Sequence, residues 1–438
     1  MTSDLYSWGR YPKHAQTATP CSWRSELQGV LTSLRDTYEE TLPYGNGRSY
    51  GDSCLATSDQ VIQTRLMDRF IKADWQTGRI IVEAGVTLAQ ILDIAIPNGW
   101  FLPVTPGTQF VTVGGAIAND VHGKNHHRRG TFGNHVTRFG LLRSDKGALV
   151  CSSYENPKLY SATIGGLGLT GIITWGEINL ISINSSAIDS TKVRFSNLKE
   201  FFLLSEELDH QHEYSVAWID CLAKGSDVGR GVFIVGDHAP YGELTLTKKS
   251  KLNVPFAPFI SPITPHTLKC FNNMYWHAQP AERTRKNVHY EPFFYPLDGI
   301  LNWNRIYGSK GFQQFQCVIP DTHAEATVHE LLSAIAKAGQ GSFLAVLKRC
   351  GEMPSPGLLS FPMPGTSLAL DFSQHAGLES GLFRRLDIIV AESGGRLYPA
   401  KDAHMSGEHF RSFYPAWEKV EALRDPALKS RFWKRVTS

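Results

Sequence analysis

The segment VTVGGAIANDVHGKNHHRRGTFGNHV, residues 111–136, gathers His122, His126, His127 and His135 with Lys124, Arg128 and Arg129 behind a glycine pair. That density of donors suits a metal, an anion or a polar loop. A zinc site asks for ligands four apart on one helix face, or for a Cys/His knuckle. His122 and His126 have the spacing, but Gly123, Asn125 and Gly130 argue against a helix there, and no cysteine or paired carboxylate lies nearby. The expectation is therefore no metal. Instead we expect a loop lining a cofactor pocket, with His122 and Lys124 facing inward and the later residues partly solvated.

Three glycine-rich stretches share the same part of the chain. YGNGRSYGD (44–52) places Gly45, Gly47 and Gly51 around Arg48 and Ser49. Closely spaced glycines let backbone N–H groups converge on an anion. The G-K-[ST] ending of a Walker loop is absent, so this stretch by itself is either a phosphate cradle or a structural turn. LPVTPGTQFVTVGGAIANDVHGK (102–124) adds Pro106-Gly107-Thr108 and Gly114-Gly115-Ala116. GGLGLTG (165–171) is formally G-x-G-x-x-G, through Gly166, Gly168 and Gly171. A dinucleotide fingerprint must open a helix, whereas IITWGEINL follows here with the texture of a strand. A tight turn between strands is expected instead. Three such loops together suit a large cofactor carrying a pyrophosphate.

The elements that must position these residues are legible in part. QVIQTRL (60–66), GRIIVEAG (78–85), GALVCSS and GIITWGEINLISI (171–183) predict strands. VTLAQILDIAIPNGW predicts a helix capped by Thr87, with Gln90 completing a capping box and Pro97 ending it. From about residue 185 the pattern becomes strand, helix, strand over STKVRF to VAWIDC. Strands at GRGVFIVGDHA and FQQFQCVIP, a helix in HAEATVHELLSAIAKAG, strands at SFLAVLKRCG and GTSLALDFSQ, and a helix in GLESGLFRRLDIIVAESGG follow. The fold class is α+β, with an antiparallel sheet flanked by helices in the second part. KKSKLNVPFAPFISPITPHTLKCFNNMYW (248–276) holds Pro255, Pro258, Pro262 and Pro265, so regular structure is not expected through its middle. Its order, Lys248, Lys249 and Lys251 and then Phe256, Phe259 and Ile260, fits either a lid or an interfacial contact.

Bulk properties narrow the class. The chain has 438 residues, enough for two or three domains. A formal charge of +3 offers no global attraction to nucleic acid, and no nucleic-acid partner is expected. The seven cysteines are scattered and form no C-x-x-C pair, so free thiols in a reducing compartment are expected rather than disulfides. No secretory signal or spanning segment is read in the chain. The expected location is cytoplasmic, at most peripheral at the inner membrane.

Taken together, GNGRSYGD, PVTPGTQFVTVGGAIANDVHGKNHH and TIGGLGLTGIITWGEI resemble the vanillyl-alcohol-oxidase-type (PCMH-fold) flavoproteins. HGKNHH, WNRIYG, FQQFQ, LSFPMPG and GGRLYPAKDA resemble the polyprenyl-phosphoryl-ribose oxidase branch in particular, and the likeness runs through nearly all the chain after residue 40. It implies a two-part FAD domain (1–184 and 392–438) around a substrate domain (185–391). Gly45, Asn46, Gly47, Arg48, Ser49, Pro106, Gly107, Thr108, Gly114, Gly115, Gly168, Thr170, Gly171 and Ile173 would then cradle FAD, with Lys401 near the flavin pyrimidine. Many relatives tether FAD through a histidine in the first glycine loop. This one reads Arg48-Ser49-Tyr50, which implies non-covalent FAD.

Tyr50, His122 and Lys401 would be catalytic, and Lys124, Trp218, Gln314, Gln316, Lys348 and Tyr398 would surround the substrate. The implied reaction oxidises the 2′-hydroxyl of a polyprenyl-phosphoryl-β-D-ribose to a ketone. A short-chain dehydrogenase/reductase partner would complete epimerisation to the arabinose form for cell-surface glycans. A soluble sugar oxidase acting on a lactone or alditol is the nearest alternative, and a metal-binding non-redox protein a remote one. Two positions depart from the branch: Ala369 stands where it has a pocket cysteine, and Phe294-Tyr295 where it reads Tyr-His.

Overall fold

The computed structural model describes residues 5–246, 252–259 and 261–438, so Lys248, Lys249, Lys251 and Ile260 lie outside the described residues. In the first part of the chain, strands Thr17–Pro20, Gln60–Gln63 and Leu42–Tyr44 form a small parallel sheet with Gln60–Gln63 in the middle. Phe70–Asp74, Arg79–Glu83, Ile172–Asn179, Val136–Arg143 and Gly147–Ser152 form an antiparallel sheet in that order. The apolar residues Ile80 and Val82 alternate into the core from a strand whose first residue, Arg79, stays outside. The helix Leu88–Ala95 forms where its signals predicted. Thr87 accepts the Gln90 N–H and the Gln90 side chain accepts the Thr87 N–H, a pairing worth about 1 kcal/mol. Pro97 converts the end of that helix into a short 3₁₀ turn that stops at Gly99.

The second sheet has eight strands: Thr284–His289, Ala187–Phe195, Gly231–His238, Tyr214–Ile219, Val346–Cys350, Gly365–Ser373, Phe312–Pro320 and Arg396–Leu397, in that order. Every adjacent pair is antiparallel. Strict alternation gives it two chemically different faces. Phe315, Cys317, Ile319, Leu368 and Leu370 are fully buried against the helices Leu198–Leu208, Ala324–Ala338 and Arg384–Glu392. Gln314, Gln316, Ser367, Ala369 and Asp371 point the other way and line a cavity.

Three local expectations change. GGLGLTG does not join two strands; it links the helix Pro157–Thr163 to the strand Ile172–Asn179. Residues His126–Arg129 do make a single helical turn, because Gly130, at φ +68°, closes it with its N–H on the His126 carbonyl. The proline-rich stretch ends in a true helix, Pro265–His277. Pro265 sits at its first turn, where no N–H is needed, and Thr264 and Thr267 form a capping box. Of the cysteines, five are buried, Cys54 is half-buried and Cys270 is exposed.

We propose the division into 1–184 with 392–438 and 185–391 on the ground that the large sheet draws its strands from 187–373 plus the short strand Arg396–Leu397. After that strand the chain returns to the first part, where Leu428 bridges Thr41 and Ser430 bridges Ala56. Arg435 fastens this return. Its guanidinium donates to both oxygens of Asp52 at 2.8 and 2.9 Å and to Asp402 at 2.8 Å, and both carboxylates are almost fully buried. Removing one partner of such a pair strands buried charge. Arg435→Met should therefore lower unfolding free energy by about 3–5 kcal/mol, read as a shift of the denaturant midpoint.

Candidate active site

A single continuous cavity runs from the glycine loops to the polar face of the large sheet. The first loop leaves strand Leu42–Tyr44 and turns back at Gly47, whose φ of +58° and whose missing side chain are both required: a Cβ would lie 2.0 Å from the Tyr44 hydroxyl oxygen. Among the described residues, the backbone N–H groups of Asn46, Gly47, Arg48 and Ser49 find no acceptor in the protein. The Arg48 guanidinium stacks 4.0 Å from the Trp8 ring, and its buried Nε has no hydrogen-bond partner. Asn46 is spent on structure, donating its amide to the Phe110 carbonyl at 2.7 Å. These donors, one of them charged, line the cavity without an acceptor of their own among the described residues, which fits an anion cradle.

The second wall is the helix Val113–Ala118, capped by Thr112, which accepts the Gly115 N–H. Gly114 packs so closely on Ala84 that a Cβ would sit 3.1 Å from the alanine methyl. The third is the GGLGLTG turn, with Gly168 at φ +74°. These walls fit a cofactor with a pyrophosphate, and FAD, when bound, would supply a two-electron acceptor.

The four histidines of the opening segment divide by function. His126 is buried and accepts the Gly351 N–H at its Nδ1, 3.1 Å away. Burial first, then the Lys348 charge, pushes its pKa down to about 3, so it stays neutral. His127 donates to the His212 carbonyl and His135 to the Arg129 carbonyl. Only His122 faces the cavity. It packs against the stacked pair Tyr398 and Phe361, each ring 5.3 Å away, accepts from Gln316 at 3.2 Å and keeps a buried Nδ1 without a partner. Burial, then Lys348, holds its pKa well below the usual histidine range. Among the described residues no group of three His, Cys, Asp or Glu side chains has metal-binding geometry.

Cations outnumber anions around the cavity: Arg48, Lys124, Lys348 and Lys401 against Asp298 and Asp371. Lys348 donates to the Gly123 carbonyl at 2.8 Å and Lys124 to the Phe294 carbonyl at 3.4 Å. Neither has a carboxylate partner among the described residues, and burial pushes both ammonium pKa values down to about 8. Lys401 lies 3.7 Å from the Tyr50 ring centroid.

Nearly all the residues singled out in the sequence line this cavity, with two exceptions. Trp218 sits on the correct face of its strand but one step beyond Val216, which takes the cavity position. Its indole donates to the Phe343 carbonyl at 2.9 Å and packs edge-on against Tyr275. Thr170 is fully buried behind the turn, with its hydroxyl 2.7 Å from that of Thr163. His126 was expected to be partly solvated and is not. Tyr295 points into the wall, its hydroxyl 2.7 Å from that of Thr105, while Phe294 lines the cavity.

Sequence reasoning missed three residues. Asp371 is a buried carboxylate in the strand Gly365–Ser373, and the signal was present: a charged residue in TSLALDF two places from Ala369, hence on the same face. Asp298 accepts the Gln109 N–H at 2.8 Å and holds the second glycine loop. Trp8 gave no local signal, because its partner Arg48 lies forty residues away.

Comparison with known proteins decides the family. Residues 21–153 match the FAD binding domain family. The chain is 34% identical to the decaprenylphosphoryl-β-D-ribose oxidase of Mycolicibacterium smegmatis, over 97% of this chain and 95% of that one. The chain belongs to that oxidase family. It is an FAD-dependent oxidoreductase of mixed α+β fold. It is also 31% identical to an uncharacterized Streptomyces coelicolor protein over 77% of this chain and 95% of that one. A putative D-arabinono-1,4-lactone oxidase of Neurospora crassa is 26% identical over 44% of this chain and 34% of that one.

Hydrogen bonds from a charged donor contribute about 1.5–3 kcal/mol. Arg48→Met should thus weaken FAD binding about 10- to 100-fold, measured by flavin fluorescence as FAD is added to the apoprotein. Because the first loop contains no histidine, acid precipitation should release the flavin into the supernatant.

Proposed function

We propose that this oxidoreductase oxidises the 2′-hydroxyl of a polyprenyl-phosphoryl-β-D-ribose to the 2-keto sugar. The observation that carries the reading is the pair Lys124 and Lys348, buried at the sheet end of the cavity and without carboxylate partners among the described residues. Unpaired buried cations are costly, and a phosphodiester on the substrate would offset that cost, whereas a neutral lactone or alditol would not. Gln314, Gln316, Tyr398 and His122 supply hydrogen bonds for sugar hydroxyls. Tyr50 and Lys401 flank the point where the glycine-loop cradle meets the sheet.

A lipid-linked substrate also gives meaning to the cover of the cavity. Leu252–Asn253 pairs with Ile300–Leu301, and Arg305 donates to the carbonyls of Val254 and Pro255. Trp303, in the same cover, lines the cavity. On its outer side Phe256 is 72% and Phe259 94% exposed. Such an apolar surface beside the entrance suits peripheral contact with an anionic bilayer, and no helix among the described residues is long and apolar enough to span one. The keto product retains its lipid and would pass to a short-chain dehydrogenase/reductase for the second half of epimerisation.

The test is anaerobic. A short-chain polyprenyl-phosphoryl ribose should bleach the flavin band of the holoenzyme, and Lys348→Met should raise the KM for that compound about tenfold, the loss of one charged contact. Bleaching by free lactones or alditols alone would overturn the substrate assignment. Anionic vesicles should sediment the wild type and leave the Phe256→Asp/Phe259→Asp protein in solution; equal sedimentation would remove the bilayer contact.

A further inference from the structure

The reaction needs a group to take the substrate's hydroxyl proton, and the cavity limits the choice. Tyr50 and Tyr398 are phenols whose pKa burial drives upward, so neither is ionised near neutrality. His122 would have to become an imidazolium among Lys348, Lys401 and His126, the groups that already hold its pKa down after burial. Asp298 is committed to the Gln109 N–H and faces Arg48. Asp371 remains. It sits on the cavity face of the large sheet, cross-strand from Gln314, whose amide donates to it at 2.6 Å. No cation lies within salt-bridge distance of it among the described residues.

We propose that Asp371 is the catalytic base of this enzyme. The substrate O–H bond breaks and its proton goes to the Asp371 carboxylate. The adjacent C–H bond gives its hydrogen with both electrons to FAD, and the carbon–oxygen double bond forms. The alcohol is oxidised by two electrons and FAD is reduced by two, with no further reactant.

The groups facing Asp371 are Gln314 on the neighbouring strand, Tyr307 from the segment Trp303–Tyr307, Tyr50 from the first glycine loop and Lys401 from the turn after Arg396–Leu397. Burial raises the Asp371 pKa to about 7, while Gln314 and then Lys401 oppose the rise. Burial lowers that of Lys401 to about 7, and Asp371 opposes the fall. A carboxyl whose pKa lies near the working pH is a stronger base than a free aspartate and is ionised in an appreciable fraction at neutral pH. With the carboxyl pKa raised, the active ionised form is lost as pH falls below about 7.

This inference rests on the alcohol-oxidation reading above, so the experiment separates the two. Wild-type, Asp371→Asn and Asp371→Glu holoenzymes are compared for anaerobic flavin reduction by a polyprenyl-phosphoryl ribose across pH, and for infrared carboxyl absorption during acid titration without substrate. We expect Asp371→Asn to keep FAD and lose about 10²- to 10⁴-fold in kcat/KM, with the limb near pH 7 gone. Asp371→Glu should recover part of the rate. A protonated-carboxyl band titrating near neutrality should be present in the wild type, absent in Asp371→Asn and shifted to higher pH in Lys401→Met. A wild type reduced by the substrate, with Asp371→Asn equally fast and its pH profile unchanged, would overturn the assignment while leaving the substrate reading intact. So would the absence of a near-neutral carboxyl band, whichever substrate reduces the flavin.

Discussion

A protein rarely gathers unsatisfied backbone N–H groups and an excess of cations around one cavity, because each such group costs free energy when it is removed from water. Here that imbalance organises the molecule. Four consecutive N–H groups and the Arg48 guanidinium converge at one end, and Lys124, Lys348 and Lys401 stand at the other. The scaffold must hold these donors in place against their mutual repulsion, and bound anions must repay the cost. We propose that FAD accounts for the first end and a phosphate-bearing substrate for the second.

The scaffold achieves this through two kinds of geometry. At the glycine loops the backbone itself is the ligand, so side chains are excluded: Gly47 cannot carry a Cβ beneath the Tyr44 hydroxyl, and Gly114 cannot drift from Ala84. At the large sheet the side chains are the ligands, and the two-residue repeat decides which ones face the cavity. Phe315, Cys317 and Leu370 go to the helices; Gln314, Gln316 and Asp371 go to the site. A one-residue slip in the pairing of Phe312–Pro320 with Gly365–Ser373 would bury two glutamines in the core and turn the apolar row into the cavity. The core and the active site therefore enforce the same register.

Much of this was legible in the sequence, for identifiable reasons. Glycine spacing marked all three loops that line the cavity, and alternation marked the strand that carries Gln314 and Gln316. Thr87 and Gln90 announced their helix because the capping box is local. What escaped notice depended on distance or context. The role of Trp8 depends on Arg48, which local pattern cannot reveal. Trp218 had the right face, but its depth along the strand is set by the helix Pro265–His277 and by Phe343. The histidine run overstated its own importance: three of its four members spend a ring nitrogen on backbone groups, and only His122 reaches the cavity. Asp371 was readable as a charge within an apolar strand, yet its significance required seeing it beside Tyr50 and Lys401.

The most direct test of the account compares FAD with riboflavin, which has the same ring system but neither phosphates nor adenine, for binding to the apoprotein by fluorescence quenching. If convergent donors at Asn46–Ser49 and Arg48 are what the pyrophosphate satisfies, FAD should bind at least ~10²-fold more tightly, as expected when several charge-assisted hydrogen bonds are gained together. Riboflavin binding within a few-fold of FAD would contradict the claim that an unsatisfied anion cradle governs this site.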